Sequence, residues 1–296
     1  MAQTVVEPLL RLGSKVVARG RIPNTWKEVI ITVLAKEPDS YSTHKFRPIS
    51  LLNGDYKIFM RVWANILGPI LSDIIGHHQR GFIPNRDGRE NIITAQLVAD
   101  WCNATGETAC EMFLDQEKAF DMVSYKTINT IFEKRKWPGV FRTMIASTYT
   151  CGTRRAQVKV NGKLAQGSIA IDTGTSQGCP MSLLLFRVVA YLLSCSIIKS
   201  PKFKGISVAG SVEIKVLGYA DDTDVTPKDQ KSIKTYSKKA ETYSAGTGGR
   251  TNTKKSEAVR LGSSIGNTFD VPIPTAKSSK YLGVITGNDP KKKPSP

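Results

Sequence analysis

The sequence predicts an α+β fold, and three observations predict it. Helical and strand periodicities are mixed without the regular alternation of a βαβ protein. The 296 residues are 40% hydrophobic, enough to bury the core of one large domain or two closely joined ones. No internal repeat divides the chain into modules.

Residues 4–19 carry a weak amphipathic helical pattern, and "EVIITVLA" (28–35) reads as a buried strand. Over 55–71, Ile58, Phe59, Val62, Trp63, Ile66, Leu67, Ile70 and Leu71 fall on one stripe at helical spacing, which predicts a long amphipathic helix buried along that stripe. Weaker helical patterns cover 89–101, 125–136 and 229–244, the last stopped by Gly246. "ACEMFL" (109–114) reads as a second buried strand, and "AQVKVNGKL" as a hairpin turning at Asn161-Gly162 between Val160 and the return strand. "MSLLLFRVVAYLLSCSII" (181–198) approaches the length of a bilayer span, but Arg187 interrupts it and no second such stretch exists, so it predicts a helix buried in a soluble core. "VEIKVL" (212–217) alternates as a strand and leads into "VLGYADDTDV". The closing "GNDPKKKPSP" predicts a disordered basic tail, with Lys291–Lys293 as a weak nuclear address.

Lys and Arg outnumber Asp and Glu by 42 to 25, a net charge of +17, which favours a polyanionic partner such as nucleic acid over a neutral metabolite. Cys102, Cys110, Cys151, Cys179 and Cys195 are odd in number and form no CxxC pair, which fits a reduced, intracellular protein and argues against zinc. Glu7, Pro8 and Arg11 break any leader-like apolar run at the start. "AGTGGRTNTKKS" lacks the Gly-Lys-Ser/Thr of a phosphate-binding loop, and His77-His78, without ligand spacing to other His or Cys, read as surface residues.

Asp221 and Asp222 stand side by side at the expected tip of a hairpin, where each raises the pKa of the other unless a cation neutralises them. Mg²⁺ suits such hard oxygen donors, but needs a further acidic ligand and a phosphate to complete its shell. Asp115, directly after the buried strand 109–114, is the candidate third ligand.

Several ordered blocks are similar to those of the reverse transcriptases of non-LTR (LINE-type) retrotransposons. They are "RPISLL" with the helix after it, "QRGFIPNRDGRENI", "FLDQEKAFDMV", "SQGCPMSLLLF", "YADD", "NTKKSE" and "KYLGV". The second palm block, Gln177-Gly178-Cys179-Pro180-Met181-Ser182, resembles the LINE side more than the group II intron enzymes, whose maturase-type reading is a second alternative.

The resemblance implies a right-hand polymerase core of fingers and palm, with an antiparallel palm sheet backed by helices. The reverse transcriptase domain would span 1–285, with fingers mainly 25–105 and 137–175, palm mainly 106–136 and 176–285, and the tail from 286 to 296. It implies an RNA-directed DNA polymerase that extends a primer 3′-hydroxyl with dNTPs on an RNA template, using a pair of Mg²⁺ ions, or Mn²⁺, held by Asp115, Asp221 and Asp222. Lys255 would protonate the leaving pyrophosphate. Lys36 and Arg47 would neutralise phosphates, Lys118 and Ala119 would turn backbone N–H groups toward the triphosphate, and Phe120 would stand against the sugar 2′ position. Gln177 and Gly178 would pack at the nucleotide, and Tyr219, Tyr281, Leu282 and Gly283 at primer or template.

The sequence departs from the family pattern at Leu183 in "SLLLF", at Asp224 after YADD, and at Arg250-Thr251, where polar residues suggest a loosely packed turn before Lys255. Few residues follow "KYLGV", so the reading is of a thumbless fragment, with an inactive, nucleic-acid-binding relic as the first alternative. A nuclear location would suit a retrotransposon product.

Overall fold

From the N-terminus the chain forms α1 (Ala2–Arg19), α2 (Asn24–Lys27), β1 (Glu28–Ala35), β2 (Phe46–Leu51), α3 (Gly54–Ile74), α4 (Arg89–Thr105), β3 (Ala109–Leu114), α5 (Tyr125–Lys134) and α6 (Gly139–Thr148). It continues with β4 (Arg154–Val160), β5 (Lys163–Leu164), β6 (Ile169–Ile171), α7 (Ser182–Ile198), β7 (Val216–Tyr219), β8 (Asp222–Val225), α8 (Gln230–Thr247), β9 (Glu257–Leu261), β10 (Thr275–Ala276), β11 (Ser278–Tyr281) and β12 (Val284–Gly287). This computed structural model describes residues 2–36, 45–81, 83–210, 213–262 and 269–288. Two compact units result, one of residues 1–68 with 120–189 and the other of 69–119 with 190–296. Their borders differ from the fingers and palm ranges read from the blocks. β12 occupies the start of the expected tail, and residues 289–296 lie outside the described residues.

The first unit holds the sheet β2-β1-β4-β5, with β6 also on β4. β1 pairs antiparallel with β2 and parallel with β4. β2 lies at the edge of this sheet, which is where Pro48, lacking an N–H, can sit in a strand. β1 is half-buried, and only Val29 reaches the core.

The long helix corrects the expected stripe. Tyr56, Met60, Ala64, Leu67 and Leu71 of α3 are buried, whereas Ile58, Val62, Ile66 and Ile70 are exposed. Two apolar rows run along this helix, and periodicity cannot say which one packs inward.

The second unit is built on the sheet β10-β9-β3-β8-β7, with β11 and β12 as a separate ribbon. It is antiparallel as expected, except that β10 joins β9 in parallel. β3 is buried on both faces, which is why it reads as a continuous apolar run. Phe113, Leu217, Val259 and Leu261 pack under Ala95, Val98, Ala99 and Cys102 of α4. On the opposite face Cys110, Met112, Leu114, Val216 and Val225 meet Leu193 and Ile197 of α7 and Tyr236 of α8. These helices cover both faces of the sheet whose strand ends carry the acidic residues. Arg187 is fully buried, and no described helix is long and apolar enough to cross a membrane.

Candidate active site

The carboxylate hairpin pairs Tyr219 with Asp222 and turns through Ala220 and Asp221. Ala220 holds φ at +57°, a conformation that a residue with a Cβ adopts at some cost. A clasp from residues 78–91 keeps it there. The Gly218 N–H donates to the His78 carbonyl at 2.7 Å, and the Gly218 carbonyl accepts from the Arg80 N–H at 2.8 Å and from Asn91 Nδ2 at 2.9 Å. A Cβ on Gly218 would stand 2.9 Å from Gln79 Nε2, so a larger residue there would make the Gln79 side chain shift. Sequence reasoning matched this segment to a family block but gave Gln79, Asn91 and Arg86 no role; only three-dimensional pairing reveals what they hold.

Asp115 follows β3 directly. The register that sets Leu114 opposite Thr223 brings it beside Asp222. Its N–H donates to Ser256 Oγ at 3.1 Å, and its carbonyl accepts from the Asn252 N–H at 2.8 Å. The Glu117 N–H donates to the Arg250 carbonyl at 2.8 Å, and Gln116 bridges to Thr251. The turn before Lys255 is therefore fastened to the Asp115 strand end, not loosely packed. Polar Arg250 and Thr251 serve it because backbone groups do the fastening. Lys255 lies exposed on that turn.

Burial, then the neighbouring charges of Asp221 and Asp115, push the Asp222 carboxyl up to about 6. Asp222 stays exposed by surface area, so the two carboxylates are the firmer cause. Among the described residues no group of three or more His, Cys, Asp or Glu already stands ready to hold a metal. The donors nevertheless fit one chemically, since they are hard carboxylate oxygens whose mutual repulsion a divalent cation relieves.

Asp224 does not join this exposed end. It is fully buried opposite Phe113, and among the described residues neither of its oxygens has a hydrogen-bond partner. Glu111 is buried likewise; burial and the nearby Asp224 push its carboxyl well up, and burial does the same for Asp224. Both are thereby driven toward the neutral form.

Tyr281 corrects its assignment to primer or template. It is 3% exposed, packed in the core beside Phe113, and its hydroxyl donates to the Leu217 carbonyl at 3.3 Å. Leu282 and Gly283, both at positive φ, form the tight turn between β11 and β12. Lys118 is exposed at φ +44°, Ala119 is buried, and Tyr219 is half-buried. His78, expected at the surface, is half-buried and stacked on Tyr191 with ring centres 5.6 Å apart. Its neighbour His77 is exposed.

Within the first unit, Lys36 and Arg47 stand exposed on the β1–β2 hairpin, where Leu34 pairs with Arg47 and the Lys36 N–H donates to the Lys45 carbonyl at 2.8 Å. The Gln177 carbonyl accepts from the Ser50 N–H at 2.8 Å. Gly178, at φ +115°, has no room for a Cβ, which would stand 2.7 Å from the Ser50 carbonyl oxygen. The Phe120 ring lies 5.0 Å from that of Phe186, and its carbonyl accepts from the Thr175 N–H at 2.7 Å. This unit thus joins Phe120, Gln177 and Gly178 to the strand that bears Arg47.

The family model for reverse transcriptase (RNA-dependent DNA polymerase) matches residues 35–286. The chain belongs to the reverse transcriptase family. Its relatives are proteins of non-LTR elements, as the ordered blocks indicated. An uncharacterised 149 kDa protein of transposon TX1 from Xenopus laevis is 26% identical over 86% of this chain and 19% of its own length. A Pol polyprotein of the R2 element from Nasonia vitripennis is 26% identical over 74% of this chain and 20% of its own. The chain thus spans about a fifth of the length of these relatives. The polymerase fold is shared with a telomerase from Candida albicans, solved in complex with a fragment of telomeric RNA. That structure matches with a TM-score of 0.59 at 11% identity, over 96% of this reverse transcriptase chain and 48% of the telomerase. Membership of the family implies dependence on a divalent metal ion.

Proposed function

We propose that this chain is an RNA-directed DNA polymerase that extends a DNA primer with dNTPs on an RNA template. The observation that carries the reading is the strand register that sets Asp115 beside Asp222, next to Asp221 in the hairpin turn, in a chain of this family. Asp115, Asp221 and Asp222 would hold the metal, Mg²⁺ or Mn²⁺ in its place. A bound pair of such ions would stabilise the attacking 3′-oxygen and the departing pyrophosphate in an in-line displacement.

The remaining work falls to the chain itself. Exposed Lys36 and Arg47 supply positive charge for the triphosphate. The Lys118–Ala119 turn offers backbone N–H groups suited to a phosphate. Phe120 is the side chain that would exclude a 2′-hydroxyl by bulk, and Gln177-Gly178 the turn that would let backbone approach the nucleotide. Lys255 is the proton donor to pyrophosphate, and Tyr219 with Leu282-Gly283 the surface for primer or template. The net charge of +17 favours a nucleic-acid backbone as partner, and all five cysteines are free, as a reduced intracellular setting such as the nucleus requires.

Primer extension on an RNA template in Mg²⁺ tests the reading. Asp221→Asn is expected to abolish nucleotide addition while leaving the melting temperature within a few degrees of the parent. An extending Asp221→Asn variant sinks the metal assignment. Template binding without addition by the parent chain would support the inactive relic instead.

A further inference from the structure

We infer that Arg154, at the start of β4, is a positioning residue for the Ser176–Cys179 turn. The inference rests on reading Gln177 and Gly178 as nucleotide-facing.

Arg154 is fully buried, at 0% exposure. A buried guanidinium ordinarily faces a carboxylate. This one lies over the Tyr56 ring, 5.2 Å from its centroid. Tyr125 and Tyr149, buried and with rings that meet edge-on at 5.4 Å, are its further electrostatic neighbours. Nη1 donates to Ser176 Oγ at 3.0 Å, while among the described residues Nε and Nη2 have no hydrogen-bond partner. An apolar side chain of similar volume would avoid that desolvation, so packing alone gives no reason for an arginine here. The polar contact that distinguishes it is the one to Ser176.

Ser176 is the hinge of the turn. Its carbonyl accepts from the Cys179 N–H at 3.0 Å and from Ser182 Oγ, at the start of α7, at 2.8 Å. The next carbonyl, of Gln177, is tied to Ser50, and Gly178 is pressed against the same residue. Ser50, Ser182 and Arg154 therefore fix the turn from different sides, and Arg154 is the member that fixes a side chain. Arginine suits the task because its planar fork can stack on an aromatic face and still direct an N–H outward, which a lysine ammonium does less well.

The test uses the full chain with Arg154→Met, Arg154→Lys and Ser176→Ala. It reads amide hydrogen exchange of segment 176–179, the melting temperature, and KM for dNTP against kcat. In Arg154→Met the melting temperature is expected to hold or rise, while exchange in the turn and KM for dNTP each rise roughly tenfold and kcat changes little, as for the loss of one charge-assisted hydrogen bond. Ser176→Ala should move both readouts the same way, and Arg154→Lys should recover part of the loss. Parental exchange and parental KM in folded Arg154→Met and Ser176→Ala overturn the inference. If Arg154→Met does not fold, Ser176→Ala decides, since it leaves the guanidinium among its tyrosines. A parent chain that adds no nucleotide removes the polymerase reading, and the exchange measurement still decides whether Arg154 positions the turn.

Discussion

Gly81 lies against the turn of the carboxylate hairpin so closely that a Cβ built on it would stand 2.4 Å from the Ala220 nitrogen and 2.8 Å from the Tyr219 carbonyl carbon. The obstacle is backbone, and that backbone is already held at positive φ and clasped on both sides of Gly218. Gly88 faces the same hairpin differently. A Cβ there would stand 2.6 Å from the Tyr219 ring, a half-buried side chain and not backbone.

The two glycines should therefore differ in consequence although their nominal clashes are similar. Gly81→Ala is expected to cost about 3 kcal/mol, the upper end for overpacking, and to abolish primer extension by displacing Asp221. Gly88→Ala should cost about 1 kcal/mol and leave measurable extension. Urea unfolding together with the extension assay separates them. Equal losses in both variants would mean that Tyr219 is as fixed as the backbone.

Arg86 donates to four carbonyls, those of Ser72, Ile75, Gly76 and Gln79, at 2.6–2.8 Å. Ser72 and Ile75 belong to the last turn of α3 and the residue after it, whose carbonyls have no partner inside the helix. One guanidinium thus caps α3 and fixes the start of the hairpin clasp. Arg86→Ala is expected to destabilise by about 3 kcal/mol, because several acceptors lose a charged donor together. Arg86→Lys should recover less than half of that, since an ammonium cannot reproduce the fork. Denaturant unfolding of the two variants gives the comparison, and a lysine variant as stable as the parent would show that charge alone suffices.

The sheet of the second unit was legible in the sequence because β3 is buried on both faces and so reads as an unbroken apolar run. The helices at 89–105, 182–198 and 230–247 carried their own periodicity or length, and the YADD block marked its hairpin. Other features were hidden for particular reasons. β2 contains Pro48, which argues against a strand until its edge position is known. Ile58, Val62, Ile66 and Ile70 are as apolar as the row that packs. Arg154 lies just before the hairpin pattern that begins at Ala156, and no local signal announces that this charge is buried. The roles of Gln79 and Asn91 depend on partners more than a hundred residues away, which a single sequence does not pair.

Tyr281 separates packing from nucleic-acid contact. If its hydroxyl serves only the fold, donating to the Leu217 carbonyl and accepting from Asn91 Nδ2 at 3.4 Å, Tyr281→Phe should lose about 1–2 kcal/mol of stability, the value of two long neutral hydrogen bonds, and leave primer–template affinity unchanged. Tyr281→Ala should cost about 3–5 kcal/mol through the cavity beside Phe113. Filter binding at fixed salt checks the affinity. A marked loss of binding in a fully folded Tyr281→Phe would restore this residue to the primer or template surface.

His78 gives the second unit a pH dependence of definite sign. Burial, with Arg86 and His77 nearby, lowers its pKa from 6.5 to about 4, and its Nε2 is buried with no hydrogen-bond partner among the described residues. The fold therefore holds the neutral ring, while the unfolded chain binds a proton near pH 6.5. Its contribution is whole above that value, declines as pH falls, and is lost once pH drops through about 4. The amount at stake is at most about 3 kcal/mol, reduced by the solvent that reaches the half-buried ring. His78→Phe keeps a ring against Tyr191 and removes the titration. Its stability relative to the parent should rise steadily between pH 6.5 and 4 and stay level above pH 7, as read by urea unfolding at each pH. A constant difference over that range would mean that the histidine is protonated in the folded protein as readily as in the unfolded one, and that its stacking on Tyr191 tolerates the charge.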